Sequence, residues 1–140
     1  ADGVLILNDA YNANPDSMAV ALATAVELGH GSRTEHPGAR VVAVLGDMLE
    51  LGPLAPELHE ELGRLAADLG VAEVVAVGGL AEHVVAGASA EGLPARVSDR
   101  ASVAGSLSLG PGDVVLIKGS RGVGLETVAA ELADGYGGSQ

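Results

Sequence analysis

The chain has 140 residues, no cysteine and a formal net charge of −12. That length predicts one domain able to bury a real core, and the lack of cysteine excludes disulfides and thiolate metal sites. The acidity argues against a nucleic-acid-binding module, which needs a basic face to neutralise phosphates. No run of about 18 apolar residues predicts a membrane span, no signal peptide is visible, and a cytoplasmic location is the default expectation.

Val4-Leu5-Ile6-Leu7 is a short continuous apolar run ending at Asn8, the pattern of a strand covered on both faces. Asn14-Pro15-Asp16-Ser17 reads as a helix start, with Asn14 as N-cap and Pro15 at the first helical position. Met18, Ala21, Leu22, Ala25 and Val26 recur at helical spacing, and Gly29 is the expected C-cap. His30 to Ala39 reads as a loop. Arg40 to Leu45 is a second buried strand, ended by Gly46. Leu54, Leu58, Leu62, Leu65 and Leu69 form one apolar stripe, so a helix is predicted over 54–69 with Gly70 closing it.

Glu73 to Val77 is a third strand, and Leu80 to Ala88 a modest helix. Ala95 to Ser98 is a short fourth strand. Asp99 is placed to cap a helix over 100–107, and Gly110-Pro111-Gly112-Asp113 reads as a turn. Val114 to Ile117 is the fifth strand, Val123 to Leu132 the last helix, and residues 135–140 a frayed tail. Strand and helix alternate about five times, which predicts an α/β, Rossmann-like three-layer sandwich: a mainly parallel sheet with helices on both faces. The domain is expected over 1–134.

Three polar loops fall at predicted strand ends: Asp9 to Asn14, Gly46 to Gly52 and Lys118 to Gly122. In a parallel sheet those ends share one edge, where ligands bind. Asp9 can accept hydrogen bonds from a ribose diol, or cap a turn. Tyr11, Asn12 and Asn14 offer stacking, donors and acceptors, with packing and turn chemistry as the plain alternatives. Asp47 and Glu50 bring two carboxylates close to a glycine and suit an ammonium group or a hydrated cation, or a solvated loop. His59 lies one position off the leucine stripe and reads as a surface histidine. Lys118, the only lysine in the chain, flanks Gly119-Ser120 with Arg121; this compact cationic patch before a helix N-terminus suits a carboxylate or phosphate. No G-x-x-x-x-G-K-[ST] loop and no G-x-G-x-x-G fingerprint occurs, so the chain has no triphosphate cradle of its own.

Taken together, Asp9-Ala-Tyr-Asn-Ala-Asn-Pro15, Gly46-Asp-Met-Leu-Glu-Leu-Gly52 with His59, and Lys118-Gly-Ser-Arg121 resemble the Mur ligases. Among these the chain is most similar to members that add D-alanyl-D-alanine to UDP-N-acetylmuramoyl-tripeptide. The resemblance covers nearly the whole chain. It implies the carboxyl-terminal domain of a three-domain enzyme that makes a peptidoglycan precursor by ATP-dependent amide formation through an acyl phosphate. The P-loop and the Mg2+ ligands would then belong to a central domain, no catalytic or metal-ligating residue to this segment, and the domain would be inactive alone. By the same resemblance Asp9, Tyr11, Asn12 and Asn14 face ATP. Asp47, Glu50, His59, Lys118, Ser120 and Arg121 serve the dipeptide and the precursor. Family members carry an arginine and a hairpin strand just before the Asp9 motif, so an antiparallel edge strand is expected to be missing from a chain that starts at Ala1. A second reading of the same residues is a stand-alone nucleotide-binding module that regulates or scaffolds a partner.

Overall fold

The computed structural model describes residues 3–9, 13–120 and 123–136. Its strands are β1 (Leu5–Asp9), β2 (Val41–Gly46), β3 (Glu73–Val77), β4 (Ala95–Val97) and β5 (Val114–Lys118). Its helices are α1 (Pro15–Ser32), α2 (Ala55–Leu69), α3 (Ala81–Ala90), α4 (Arg100–Ser106) and α5 (Glu126–Tyr136). The described strands form one sheet in the order β1-β5-β2-β3-β4, and every neighbouring pair is parallel. The three-layer α/β architecture expected from the alternation is therefore the one observed.

Side-chain alternation along the strands divides the core in two. Val41, Ala43 and Leu45 of β2 face the layer of α1, α2 and α3, packing with Met18, Leu22, Leu62 and Val84. Val42 and Val44 face α4 and α5, packing with Val103, Leu125, Val128 and Leu132. β2 and β5 are buried at every position, which is why residues 41–45 and 114–117 read as unbroken apolar runs; the charged Lys118 that ends β5 is buried with them.

Helix starts follow local chemistry. Asn14 caps α1: its side-chain oxygen accepts from the Ser17 N–H at 2.9 Å, and the Ser17 hydroxyl accepts from the Asn14 N–H at 3.1 Å, a reciprocal capping box. Asp99 caps α4 by accepting from the Ser102 N–H at 2.9 Å. The predicted turn before β5 is tied by Asp113, whose carboxylate accepts from the Gly110 N–H at 2.8 Å and the Arg40 N–H at 2.7 Å.

Helix bounds differ from expectation in α1 and α5. α1 does not stop at Gly29 but runs on to Ser32. A Cβ at Gly29 would lie 2.4 Å from Val41 Cγ2, so this glycine lets the helix lie against β2. At the other end of the chain α5 starts at Glu126 rather than near Val123, because Gly124 holds a left-handed φ of +74°. The same helix continues through Gly135 to Tyr136, where a frayed tail was expected to begin; residues 137–140 lie outside the described residues. α2 and α3 cross closely at two glycines: a Cβ on Gly63 would meet the Val84 carbonyl oxygen at 2.1 Å, and one on Gly87 the Glu60 carbonyl oxygen at 2.0 Å. No described helix is long and apolar enough to cross a membrane.

Candidate functional site

The carboxyl ends of β1, β5 and β2 are adjacent, because β5 lies between the other two strands. The three polar motifs therefore meet at one edge, as the parallel topology predicts. Asp9 and Lys118 are the last residues of β1 and β5 and are partners in register. The Lys118 ammonium donates to Asp9 Oδ2 at 2.5 Å. The lysine side chain is 2% exposed and the aspartate 51%. The placement of Lys118 on an open cationic loop is thus corrected: it is the buried end of a central strand, and its charge meets Asp9.

The next tie joins β5 to β2, where the Ser120 N–H donates to the Asp47 carbonyl at 3.0 Å. Close approach here needs glycines, since a Cβ on Gly119 would lie 2.9 Å from the Gly46 Cα. The Asp47 carboxylate reaches the turn after β3, accepting from the Gly79 N–H at 2.9 Å and the Leu80 N–H at 3.0 Å. Gly78 lies against that carboxylate with a φ of +121°. Four successive strand ends are therefore cross-linked by polar contacts.

His59 is not a surface histidine. It is fully buried. Its Nε2 accepts from the Met48 N–H at 3.0 Å, and its Nδ1 lies 2.7 Å from the Ala55 carbonyl oxygen. A ring that accepts at Nε2 and faces a carbonyl at Nδ1 carries its proton on Nδ1. The imidazole thus pins the 46–52 loop to the first turn of α2. Leu58, not His59, continues the stripe, and a step of one residue turns a side chain about a quarter of the way round the helix. Here that direction meets the loop rather than solvent.

Glu50 stays exposed and is the one described non-glycine residue with positive φ, at +62°. Ser120 is buried, and its hydroxyl has no hydrogen-bond partner among the described residues. Tyr11, Asn12 and Arg121 lie outside the described residues. An open cleft of about 820 Å³ runs along β1 and α1, lined in part by Leu7, Asp9, Asn14, Asp16, Val20 and Leu116. Asp9 and Asn14 are the sequence-predicted residues on its wall. The capping oxygen of Asn14 is engaged by α1, which leaves its amide nitrogen for other contacts. The apolar wall was not singled out in the sequence. Val20 of α1 lines the cleft while 68% exposed. No group of three His, Asp or Glu side chains among the described residues could hold a metal ion.

Residues 1–121 match the family model of the Mur ligase, glutamate ligase domain. The chain belongs to the Mur ligase family. This Mur ligase domain is 42% identical to a UDP-N-acetylmuramoyl-tripeptide–D-alanyl-D-alanine ligase of Mycobacterium leprae, over 94% of this chain and 28% of that protein. Against the ligase of the same description from Escherichia coli K12 the identity is 33%, over 96% of this chain and 28% of that protein. Among solved structures, a MurF ligase from Thermotoga maritima in complex with ADP superposes with a TM-score of 0.75 at 28% identity, over 94% of this chain and 28% of that one. The domain corresponds to the carboxyl-terminal domain of MurF. It spans less than a third of the length of these relatives.

Proposed function

We propose that this domain works within an ATP-dependent ligase that joins D-alanyl-D-alanine to UDP-N-acetylmuramoyl-tripeptide, a cytoplasmic step of peptidoglycan precursor synthesis. The observation that carries the reading is the meeting of three polar motifs at one sheet edge, in a chain whose relatives include a MurF ligase described in complex with ADP. In the proposed reaction the tripeptide's terminal carboxylate takes the γ-phosphoryl group of ATP, giving an acyl phosphate and ADP. The dipeptide amine then attacks the acyl carbon, and the tetrahedral intermediate expels phosphate to leave the amide. The domain's part is to orient reactants and exclude water as it closes over them.

Asp9 is proposed to accept from the ATP ribose hydroxyls, with Tyr11, Asn12 and Asn14 beside the nucleoside. The half-exposed Asp9 carboxylate on the cleft wall supports this. Glu50, Ser120 and Arg121 are proposed to face the dipeptide and the precursor, Glu50 through its exposed carboxylate toward an ammonium group. Asp47 and His59 serve the same part of the site by holding its loops, as their hydrogen bonds support. The reading assigns the phosphate cradle and the Mg2+ ligands to the other domains of the complete enzyme, with which this one would close, and it predicts no ligation by this domain alone.

The test is ATP-dependent ligation of D-alanyl-D-alanine to the UDP-linked tripeptide by the complete protein. Asp9→Ala should raise the ATP KM, and because it strips the covered Lys118 ammonium of its carboxylate it should also lower the melting temperature of the domain. A lower melting temperature with unchanged ATP kinetics would make Asp9 structural.

A further inference from the structure

The sole lysine of the chain is buried at the ligand edge rather than presented to solvent. Lys118 extends from β5, a central strand, on the α1 side of the sheet, the side that Val114 and Leu116 also face. Leu5 and Leu7 put the Asp9 side of β1 on the same layer. Register partnership brings the two charged ends together, and the ammonium lies 2.5 Å from Oδ2. The pair is lopsided: the cation is almost fully covered while the carboxylate is half in solvent and lines the cleft.

An apolar side chain would complete this central strand without the desolvation penalty of a covered ammonium. What the lysine adds is direction. It occupies Oδ2 and fixes the carboxylate rotamer, so that Oδ1 is the oxygen left for a ligand hydroxyl. A carboxylate held in one orientation binds a diol without first losing side-chain freedom.

We infer that Lys118 is a positioning residue for the nucleotide, acting through Asp9, and not a ligand for a substrate carboxylate. The inference rests on the proposal that Asp9 meets the ATP ribose.

The experiment uses the complete protein with Lys118→Met, Lys118→Gln, Asp9→Asn and the Asp9→Asn/Lys118→Met double variant. The KM values for ATP and for D-alanyl-D-alanine are measured separately, with ATP titrated directly by calorimetry. Lys118→Met should raise the ATP KM and weaken ATP binding by about tenfold, the scale of coupling between groups in contact. The dipeptide KM should not move, and kcat should change by less than about threefold. Lys118→Gln, which keeps a donor, should fall between wild type and Lys118→Met, and should serve if the methionine variant does not fold. The double variant should be no worse for ATP than Asp9→Asn alone. A rise in the dipeptide KM with ATP binding unchanged would overturn the inference and return Lys118 to the substrate carboxylate. Losses that multiply in the double variant would also overturn it. A wild-type protein that binds ATP but does not ligate would refute the ligase reading alone, and the calorimetric comparison would still decide the role of Lys118.

Discussion

His59→Ala separates a residue that holds the site from one that touches substrate. The imidazole is completely buried and bonded at both nitrogens. Truncation leaves the buried Met48 N–H without its acceptor, which costs about 1–3 kcal/mol. The Ala55 carbonyl lies one helical turn before His59, so it keeps its main-chain partner in α2 and adds little. The emptied ring volume contributes a cavity term, and the total comes to roughly 3–5 kcal/mol. For a domain of this size that is a fall in melting temperature on the order of 10–20 °C, read by circular dichroism on the isolated chain. His59→Gln, whose amide oxygen can accept from Met48, should lose less. Hydrogen exchange should show the Met48 amide losing its protection in the alanine variant. If His59→Ala melts within about 2 °C of the wild type, a shift no larger than that of an ordinary surface substitution, the ring is not a strut and the reasoning fails.

Other substitutions test other contacts. Gly63→Ala or Gly87→Ala sets a Cβ within 2.1 Å or 2.0 Å of a facing carbonyl oxygen, forcing α2 and α3 apart; each should cost about 2–4 kcal/mol in urea unfolding with little change in m-value. Asp113→Ala leaves the Arg40 and Gly110 N–H groups without the acceptor they share and should destabilise by about 2 kcal/mol, seen as a lower urea midpoint. Glu50→Gly removes a side chain from a left-handed position and should raise stability by up to about 1 kcal/mol. In the complete protein the same change should raise the dipeptide KM; an unchanged KM would remove Glu50 from the proposed ammonium contact.

The architecture was legible because its signals are local. Strands buried on both faces read as apolar runs, and Asn14, Asp99 and Gly70 announce helix ends by chemistry confined to one turn. Gly29 misled because a helix glycine has two uses: ending the helix, or letting it approach a neighbour. Only the Val41 contact distinguishes them. The convergence of the three motifs at one edge followed from strand polarity alone. What each motif residue does with its polar atoms did not follow, since the partners are remote in sequence. Asp9 and Lys118 are separated by 109 positions, and Asp47 and Leu80 by 33. A histidine beside a leucine stripe looks solvent-facing until the loop that covers it is known.

These remote contacts divide the motif residues by availability, and that division bears on function. Lys118, His59, Asp47 and the capping oxygen of Asn14 are engaged within the chain. Asp9 and Glu50 keep carboxylate surface in solvent. An edge built this way gains rigidity from the polar pairs joining β1, β5, β2 and β3, so the exposed groups would lose little freedom on binding the proposed ligand. It also follows that loss of function on mutating a motif residue is not by itself evidence of ligand contact. Changes at Asp47 or His59 should act on ligand binding and on melting temperature together, whereas changes at Glu50 should act on ligand binding without lowering melting temperature. The two groups can be told apart by measuring both quantities on the same variants.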